Sequence, residues 1–440
     1  MATQPPTRRR FLSVAAAASA LTGYSAGSAA PDAAANKNEK RLRIAVIGVG
    51  GRGMGVLKAS LAIGGIDVAA LCDIRREAVN RGADFVQTKL DYKPALFSDG
   101  PDDYKRMLQR DDIDAVFVTT PTVFHGPMGA ASLRAKKWVF SEVPACNTIE
   151  EGWDLINAAE ESGKGYFMAE NYCFMRHNLL VLNMVEKGVF KTFTFAECGY
   201  IHEARDLQFN PDGTLNWRGR LNSSAELIGN TYPTHSLGPV SMWLGITRGD
   251  RMLRATTMMS RSATFRETAL KRFGPDSPAG KVTTWNGDTT NSLIQTANGV
   301  VISLRFDVQS PRPHHMDFYT LQGTGASYDD EAGIYIDGKS KGWDPISKYY
   351  ADYEHPYWLR HAEKARTYGH GGGDYFTLQH FYGCIREGKP FGIDVYDAVT
   401  WSSLIPLSAK SIREKGMPQE IPDYTRGKWK GRKRFDWSNV

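Results

Sequence analysis

The sequence predicts an α/β protein with two domains: a parallel, doubly wound sheet over residues 41–172, then an α+β domain with an open, mostly antiparallel sheet over residues 173–420. Three observations support this prediction. A chain of 440 residues is long for a single hydrophobic core. In its first part, short apolar runs alternate with segments of helical spacing. From about residue 175, strand-like segments follow one another, and turn signals such as Asn298-Gly299 join them.

The first strand runs into a glycine motif. Residues 44–47 are apolar and rich in β-branched side chains, which is typical of a strand buried on both faces. Gly48, Gly50 and Gly53 follow with the spacing G-x-G-x-x-G, and residues 54–61 have a helical pattern. The first glycine permits a tight turn, the second lets a pyrophosphate approach the backbone, and the third lets the helix pack closely on the strand. This pattern predicts a Rossmann dinucleotide-binding domain.

The second strand indicates which dinucleotide is bound. Residues 68–72 are apolar and end at Asp73, 20 residues after Gly53. A carboxylate there accepts hydrogen bonds from both ribose hydroxyls and repels a 2′-phosphate, so NAD is favoured over NADP. The alternative is a glycine-rich turn next to an ordinary surface acid.

The remaining elements of the first domain alternate regularly. Further strands are expected at 113–119, 138–142 and 165–169, and helices at 75–90, 104–110, 126–135 and 149–162. The loops at 119–125, 142–144 and 170–172 then lie at the carboxyl ends of parallel strands. Ligands bind at that edge in open α/β sheets.

The second domain contains five strand-like segments and two helical ones. The strands are expected at 193–200, 252–259, 290–296, 300–308 and 318–322, and the helices at 375–386 and 395–415. Residues 338–373 are rich in Gly, Pro and Tyr and predict one long loop. An open sheet of this kind favours a homo-oligomer. Residues 421–440 form a basic tail, expected to be solvated.

The N-terminus predicts export. Arg8, Arg9 and Arg10 precede a weakly apolar segment, and small residues at 28–30 offer a cleavage site. Residues 1–30 therefore resemble a twin-arginine signal peptide, which implies passage through the Tat translocation machinery to the periplasm. The alternative is a disordered, Ala-rich leader. Tat export carries folded proteins, so NAD would be loaded beforehand and held tightly. Five cysteines without paired spacing indicate buried thiols.

Composition argues against several partners. The net charge of +6 is concentrated at the two ends, so the body lacks the basic field that nucleic-acid binding requires. No stretch after residue 30 is long and apolar enough to span a bilayer, so no membrane contact is expected after export. His202, Glu203 and Asp206 fit no standard metal-ligand spacing, and we expect no metal.

A dinucleotide domain followed by an open mixed sheet resembles the Gfo/Idh/MocA oxidoreductase superfamily. The segment Thr120-Pro121-Thr122-Val123-Phe124-His125 is similar to its T-P-x-x-x-H motif. The superfamily commonly continues with Glu-Lys-Pro, whose lysine helps to deprotonate a sugar hydroxyl. Here the segment is Glu142-Val143-Pro144, so an ordinary sugar dehydrogenase is disfavoured.

More specific segments resemble one branch, the NAD-dependent α-N-acetylgalactosaminidases of glycoside hydrolase family 109. The similarity covers roughly residues 41–420, and the segments that carry it include Ala169-Glu170-Asn171-Tyr172-Cys173, Asn230-Thr231-Tyr232-Pro233-Thr234-His235 and Gly369-His370-Gly371-Gly372-Gly373. The resemblance implies that NAD is lined by Gly51, Arg52, Asp73, Thr122, Val123, Phe124, His125, Glu142, Val143, Asn171 and Tyr232. It implies that the sugar is lined by Tyr200, Arg218, Tyr232, Pro233, Thr234 and His235. Where the family commonly has a tyrosine, this chain has His314, which leaves the sugar or aglycone preference open.

Tyr232 and His235 are the candidate catalytic residues. They lie three positions apart, so a helical turn would place both side chains on one face. Oxidation of a hydroxyl and removal of a carbon-bound proton require a proton acceptor near neutrality and a phenol that relays protons. The alternative is a structural histidine beside a core tyrosine.

Three other sites each allow two interpretations. Glu142 either binds the nicotinamide ribose or caps the next helix, and His125 is either a cofactor contact or a packed histidine. Gly371–Gly373 either permits close backbone approach to a ligand or acts as a hinge. At the level of function, the alternatives to a glycosidase are an exported sugar oxidoreductase and a non-catalytic dinucleotide- or sugar-binding protein.

Overall fold

The computed structural model describes residues 41–313 and 316–437. The expected signal peptide at residues 1–30 and the predicted substrate contact His314 lie outside the described residues. The first half of the chain forms a six-stranded parallel sheet with the order β3-β2-β1-β4-β5-β6. Its strands are β1 Leu42–Ile47, β2 Ile66–Cys72, β3 Ala95–Phe97, β4 Ala115–Val118, β5 Trp138–Ser141 and β6 Tyr166–Met168. The predicted Rossmann domain is confirmed.

Five helices connect these strands. They are α1 Gly51–Ile63, α2 Arg76–Leu90, α3 Asp103–Leu108, α4 His125–Arg134 and α5 Ile149–Ser162. The bounds of α5 agree with the sequence prediction because local chemistry marks its start: the Thr148 hydroxyl accepts a hydrogen bond from the backbone N–H of Glu151 at 3.1 Å. Strand β3 was missed, since three residues carry too little periodicity to be recognised.

The second half forms an eight-stranded sheet with the order β13-β12-β11-β7-β10-β9-β8-β14. The strands are β7 Phe193–Ile201, β8 Met252–Met259, β9 Thr290–Thr296, β10 Val301–Asp307, β11 Met316–Gly323, β12 Ala326–Asp329, β13 Gly333–Ile336 and β14 Gln419–Glu420. Only β7 and β10 pair in parallel, and the other neighbours are antiparallel. The expected α+β domain with a mostly antiparallel sheet is confirmed.

The helices of the second half include α8, which supports the site. They are α6 Arg176–Glu186, α7 Trp217–Asn222, α8 Thr234–Leu244, α9 Thr264–Phe273, α10 Tyr350–Tyr353, α11 Pro356–Ala365, α12 Gly373–Glu387, α13 Val395–Ser402 and α14 Leu404–Arg413. Trp243 of α8 packs on the second sheet, with ring centroids 5.9 Å from Tyr319 and 5.7 Å from Tyr328. A Cβ at Gly238 would lie 2.9 Å from Cys173 Sγ. Helix α8 therefore lies between the sheet and the loop that follows β6.

The two sheets share one hydrophobic core. Phe381 of α12 packs on the first sheet, 5.6 Å from the ring of Phe117 and 5.4 Å from that of Phe140. Buried side chains connect this region with the inner face of the second sheet in a single cluster. The layer around the first sheet therefore includes residues far outside 41–172, because the chain returns to it near its end.

The prediction of one long loop at 338–373 is wrong, because helices α10 and α11 lie in this range. Helix α11 begins at Pro356, whose fixed backbone angle suits a first helical position, and His355 Nδ1 accepts a hydrogen bond from Tyr357 N at 3.2 Å. The hydroxyl of Tyr357, a buried residue, donates to Phe376 O at 3.1 Å. Tyrosines that suggested a loop thus make tertiary contacts.

The prediction of a solvated tail is also wrong for residues 421–437, the part of the tail that the structure describes. Trp437 is 5% exposed and Tyr424 is 1% exposed, so the tail contributes to the core. Arg434 donates to the carbonyls of Met242 and Trp243 at 2.8 Å, which caps the end of α8. Arg432 pairs with Asp394. Two of the basic side chains that suggested solvation, Arg432 and Arg434, therefore bind a carboxylate and backbone carbonyls.

The five cysteines are free thiols and buried, as expected. Within residues 41–313 and 316–437, no helix combines the length and apolar character that a membrane crossing needs.

Candidate functional site

The glycine turn between β1 and α1 has the geometry that its sequence predicts. Gly48 has φ 90°, and a Cβ there would lie 2.9 Å from the backbone of Thr119 on the neighbouring strand. A Cβ at Gly53 would lie 1.8 Å from Gly48 O. Both positions therefore require glycine. Gly50 precedes α1, whose first residue is Gly51, so the N–H groups that open the helix lie at the carboxyl edge of the sheet.

Asp73 lies beside this turn. It is 8% exposed, and its Oδ2 accepts a hydrogen bond from Val49 N at 2.8 Å. Its Oδ1 accepts from the backbone N–H of Arg75 at 3.0 Å, and the Arg75 guanidinium lies 3.2 Å away. The carboxylate thus lies at the place expected for the ribose of a dinucleotide, on the loop that follows β2.

Arg52 connects this turn to the second half of the chain. Its Nε donates to Glu142 Oε1 at 2.8 Å, and its Nη1 and Nη2 donate to Asp374 at 2.9 and 3.0 Å. Burial disfavours the charge on Arg52, but the two carboxylates outweigh burial and raise its pKa. Arg52, Glu142 and Asp374 are called the clamp below.

Two further residues extend the clamp. Asn171 Nδ2 donates to Asp374 Oδ1 at 3.2 Å, and His370 Nδ1 lies 3.0 Å from Asp374 Oδ2. Burial raises the pKa of Asp374, but its bonds with His370 and Arg52 outweigh burial and hold it well below its usual range. A Cβ at Gly373 would lie 2.9 Å from Asn171 O, so glycine permits a close approach of α12 to the loop after β6.

In the loop after β4, some of the predicted cofactor contacts are exposed and others are buried. Val123 is 43% exposed and Phe124 is 47% exposed, whereas Thr122 is 2% exposed. His125 is 1% exposed, and its two ring nitrogens lie 2.7 Å from the carbonyls of Pro144 and Thr120. These contacts favour the packed histidine, whose pKa is lowered by burial, and a contact of His125 with the cofactor stays a prediction.

This edge of the sheet fits NAD. The glycines leave room for a backbone cradle, and apolar side chains on the loops after β2 and β4 (Ile74, Val123 and Phe124) are exposed and available to flat rings. The hydroxyl of Thr122 is buried and finds no hydrogen-bond partner among the described residues. Val143 is 3% exposed, so its side chain is directed into the core, and only its backbone remains available to a cofactor.

His235 is held by a buried carboxylate. Its Nδ1 lies 2.7 Å from Oε1 of Glu170, which is fully buried on the loop after β6. Burial alone lowers the pKa of His235, but the Glu170 charge outweighs burial and raises it above its ordinary value. Nε2 is the nitrogen not bonded to Glu170. This arrangement fits an oriented proton acceptor.

Three tyrosine rings surround the His235 ring. Their centroids lie 4.5 Å away for Tyr172, 4.9 Å for Tyr232 and 5.4 Å for Tyr200. The predicted proximity of Tyr232 and His235 is confirmed, although Tyr232 precedes α8 and does not belong to a shared helical turn. Burial is the main cause that raises the pKa values of Tyr200 and Tyr232, so both phenols carry their protons at neutral pH.

The cluster opens into a cavity of about 800 Å³. Asp317 of β11 lines it opposite Tyr200 on the neighbouring strand, and the Tyr172 hydroxyl bonds to its carboxylate. Tyr319 also lines the cavity and donates from its hydroxyl to His235 O at 2.7 Å. These side chains combine rings with charged and polar groups, which suits a polyhydroxylated ligand.

The other predicted sugar contacts differ in placement. Arg218 is exposed, packs 4.4 Å from the centroid of the Trp217 ring, and its positive charge acts on Tyr200 and Tyr232. Pro233 and Thr234 are buried, and Thr234 is 0% exposed. They lie at the start of α8 and so position His235, and their contact with the sugar stays a prediction.

The acidic residues considered for a metal have other partners. Glu203 binds Arg205 at 2.6 Å, and Asp206 pairs with Arg272. Within the parts of the chain that the structure describes, no group of three His, Cys, Asp or Glu side chains is arranged to hold a metal ion.

Sequence reasoning missed Asp317 and Asp374 and left Glu170 without a role. Glu170 carried a signal, since it follows the strand that ends the first sheet and lies at its ligand-binding edge. Asp317 and Asp374 carried none, because their nearest site partners are distant in sequence.

Two family models match the chain. The model for the NAD-binding Rossmann fold of the GFO/IDH/MocA oxidoreductase family matches residues 42–170, and the model described as "Glycosyl hydrolase 109, C-terminal domain" matches residues 174–431. The first domain is thus NAD-binding.

Curated relatives match almost the whole chain. A "Glycosyl hydrolase family 109 protein" of Saccharopolyspora erythraea is 36% identical, with 97% of this chain and 95% of the relative covered. Proteins with the same description are 34% identical in Stenotrophomonas maltophilia, with 97% of both chains covered, and 35% identical in Streptomyces coelicolor, with 98% and 97% covered.

Solved structures share the fold. Levoglucosan dehydrogenase in complex with NADH and levoglucosan has a TM-score of 0.66 at 18% identity, covering 87% of this chain and all of that one. myo-Inositol dehydrogenase from Lactobacillus casei in complex with NAD(H) and myo-inositol has a TM-score of 0.59 at 15% identity, covering 87% and 97%. At such identity the likeness shows the fold alone.

Proposed function

Because this chain belongs to glycosyl hydrolase family 109, we propose that it hydrolyses terminal α-linked N-acetylgalactosamine by an NAD-dependent oxidation, elimination, addition and reduction. One observation carries the proposal. The Glu170–His235 pair, surrounded by tyrosines, opens into a large cavity and lies one residue from Asn171 of the clamp. An oriented base thus lies near the edge of the sheet where the residues fit NAD.

NAD held at the glycine turn and Asp73 would supply hydride transfer to and from C3 of the sugar, and a ketone at C3 would make the proton on C2 acidic. His235 supplies the base: its Nε2, directed by the bond between Nδ1 and Glu170, takes the C2 proton. The protonated ring is stabilised by the buried carboxylate, since opposite charges favour the charged form. The substituent on C1 then leaves, and water adds in its place.

The tyrosines and Asp317 bind and orient the sugar. The Tyr232 phenol, whose pKa is raised, is protonated at neutral pH and would relay the proton of the C3 hydroxyl to water in the cavity as the hydride leaves, and return it when C3 is reduced again. Tyr200 and the Asp317 carboxylate form a second pair of groups for sugar hydroxyls. Arg218, which is exposed beside them, neutralises negative charge near the phenols.

The other candidate is a sugar oxidoreductase, which the likeness in fold to dehydrogenases favours. The residue at the superfamily's lysine position argues against it. That residue is Val143, which is buried and has no proton to exchange. A non-catalytic binding protein would not need an oriented histidine in its cavity. The glycosidase accounts for both features.

The proposal includes location and assembly. The twin-arginine pattern at Arg8, Arg9 and Arg10 supports export by the Tat machinery to the periplasm. A reaction that leaves the cofactor unchanged suits a compartment that does not resupply it. Two large apolar side chains on the second sheet, Met258 of β8 and Leu293 of β9, are 67% and 49% exposed, which supports a homo-oligomer.

The test uses purified protein without added NAD. We expect release of p-nitrophenol from p-nitrophenyl α-N-acetylgalactosaminide, and deuterium at C2 of the sugar released in D₂O. Substrate deuterated at C3 should return its label to C3. A plain dehydrogenase would yield a ketone without bond cleavage. Absence of C2 label together with full activity after removal of NAD would exclude the mechanism.

Variants of the catalytic pair test the assigned residues. Tyr232→Phe and His235→Ala should each lower kcat roughly 10²–10⁴-fold, because general acid–base groups contribute that much. Bound NAD, measured after denaturation, should remain. Tyr335→Phe, on β13 of the second sheet, is the matched control. If both variants keep activity within a few-fold of the parent, Tyr232 and His235 have a structural role and not a catalytic one.

A further inference from the structure

Departure of the substituent on C1 requires a proton that neither His235 nor Tyr232 supplies. Once C2 is deprotonated, the bond between C1 and its oxygen breaks, and an alcohol or sugar leaves as an unstable alkoxide unless it receives a proton. His235 holds the proton taken from C2, and Tyr232 relays that of the C3 hydroxyl. A third group that exchanges protons near neutral pH is therefore needed in the cavity.

A further imidazole in the cavity, that of His202, lies beside Tyr200. Its backbone N–H donates to Asp307 O at 2.8 Å, which continues the parallel pairing of β7 and β10 one residue beyond Ile201. Side chains two positions apart on a strand lie on the same face, so His202 follows Tyr200 along the face that lines the cavity. The two ring centroids are 5.5 Å apart, with an interplanar angle of 26°.

Tyr200 packs against two imidazoles. The centroid of the His235 ring lies 5.4 Å from that of Tyr200, and the centroid of the His202 ring lies 5.5 Å from it. A sugar that contacts Tyr200 can thus meet one imidazole at a carbon-bound proton and the other at an oxygen. The proposed chemistry needs both at short range, because C2 and the departing oxygen are bonded to the same carbon.

Two other histidines line the cavity, and each is bound to a different part of the chain. His177 Nε2 lies 2.9 Å from the Tyr350 hydroxyl, in the contact between α6 and α10. His370 Nδ1 lies 3.0 Å from Asp374 Oδ2 of the clamp. His202 differs from both because its ring packs on the tyrosine next to His235.

Asp330 is the competing acid in the cavity. Burial raises its pKa to about 6, so it also exchanges protons near neutral pH. Tyr319 lies between it and His235, however: the Tyr319 backbone N–H donates to Asp330 Oδ2 at 3.0 Å, and the hydroxyl of the same residue donates to His235 O at 2.7 Å. The length of a tyrosine side chain thus separates Asp330 from the element that carries the base.

We propose that His202 is the acid that protonates the departing oxygen on C1 and the base that then activates water. This rests on the proposed function and adds a third catalytic residue to it. As the bond between C1 and its oxygen breaks, the electron pair of that bond leaves with the oxygen, which takes the proton of His202, and the electron pair at C2 forms a double bond to C1. Neutral His202 then takes a proton from water as the water oxygen bonds to C1, and C2 recovers a proton from His235.

The first test varies the leaving group. p-Nitrophenolate is stable without a proton, whereas methoxide is not. His202→Gln should therefore lower kcat/KM for methyl α-N-acetylgalactosaminide roughly 10²-fold or more, and that for the p-nitrophenyl glycoside only a few-fold. His177→Gln, the same substitution elsewhere in the cavity, is the control and should not distinguish the two substrates. Equal losses on both substrates in His202→Gln, or the selective loss in Asp330→Asn instead, would overturn the proposal.

A second measurement separates departure of the leaving group from removal of the C2 proton. Methyl glycoside that is recovered unreacted from D₂O is examined by NMR for deuterium at C2. In His202→Gln, and in His202→Asn tested beside it, His235 still removes this proton while departure is slowed, so C2 exchange should rise relative to cleavage. Loss of exchange together with cleavage in variants that retain bound NAD would overturn the proposal. Absence of both exchange and cleavage in the parent protein would refute the proposed function, and this role of His202 with it.

Discussion

At the scale of single residues, Glu170 is the carboxylate that contributes most to the proton affinity of His235, ahead of Asp317 and Glu142. Glu170 is fully buried, so its charge acts on the imidazole with little screening by water. Its Oε1 lies 2.7 Å from His235 Nδ1 and also accepts from Tyr172 N at 3.2 Å, whereas Oε2 finds no hydrogen-bond partner in the described part of the chain. Glu170 is therefore a positioning residue that also sets the pKa of the base.

This dependence predicts a shifted pH profile for Glu170→Gln. The base acts only when His235 is unprotonated, so kcat rises as pH increases through the pKa of His235, which the carboxylate raises above 6.5. Without that charge the pKa falls, and the rise should move to lower pH. The measurement is kcat against pH, with Glu197→Gln of β7 as control. A purely structural role for Glu170 would lower kcat without moving the profile.

At the scale of elements, the clamp joins the start of α1 to the start of α12. Arg52 and Asp374 are 322 positions apart in sequence, and their two parallel N–H···O bonds form a bidentate pair. Because Arg52 belongs to the glycine turn, the clamp holds in place the backbone that is expected to contact the pyrophosphate. The clamp thus ties loop 369–373 to the glycine turn.

Asp374→Asn should therefore release NAD faster. An amide keeps one acceptor oxygen but loses the charge-assisted pair, which is worth about 1.5–3 kcal/mol, so dissociation should accelerate at least roughly tenfold. The measurement is the loss of bound NADH fluorescence after addition of excess NAD. Asp276→Asn, at an exposed position, is the control. If the variant releases NAD at the parent rate but has a lower Tm, the clamp contributes only to the stability of the fold.

At the scale of the whole molecule, the C-terminal segment connects both halves. Trp437 packs 5.4 Å from the ring of His380 in α12 and 5.9 Å from that of Phe174, which follows β6. Arg434 caps α8, the helix that carries His235. The C-terminal segment as far as Trp437 is therefore part of the scaffold of the site, although the cavity is lined by other residues.

Trp437→Ala should destabilise the entire protein. Removal of a buried tryptophan side chain costs about 3–5 kcal/mol, and the single core predicts that both halves unfold in one transition. Urea unfolding followed by fluorescence and by far-ultraviolet circular dichroism measures both quantities. Lys430→Ala, at an exposed position of the same segment, should leave the midpoint unchanged. Two separate transitions would contradict a shared core.

Some features were decided by short stretches of sequence. The glycine turn, Asp73 and the alternation of strands and helices depend on neighbours along the chain, because hydrophobic period and turn chemistry act over a few residues. The bounds of α5, β8 and β9 were therefore predicted correctly from residues within or beside them. The proximity of Tyr232 and His235 belongs here too, because the two positions lie only three apart in the chain.

Other features were decided only by tertiary structure. The pairing of Glu170 with His235, the contact of Arg52 with Asp374 and the place of Asp317 opposite Tyr200 join residues that local pattern cannot relate. The C-terminal segment shows the same limit: its basic residues predict a solvated end, but Asp394 binds Arg432 and the end of α8 binds Arg434. The free energy of such contacts depends on burial and on partners brought together by folding. The sequence by itself thus determined the fold class and the NAD-binding turn, and the packing of the two halves decided which side chains form the site.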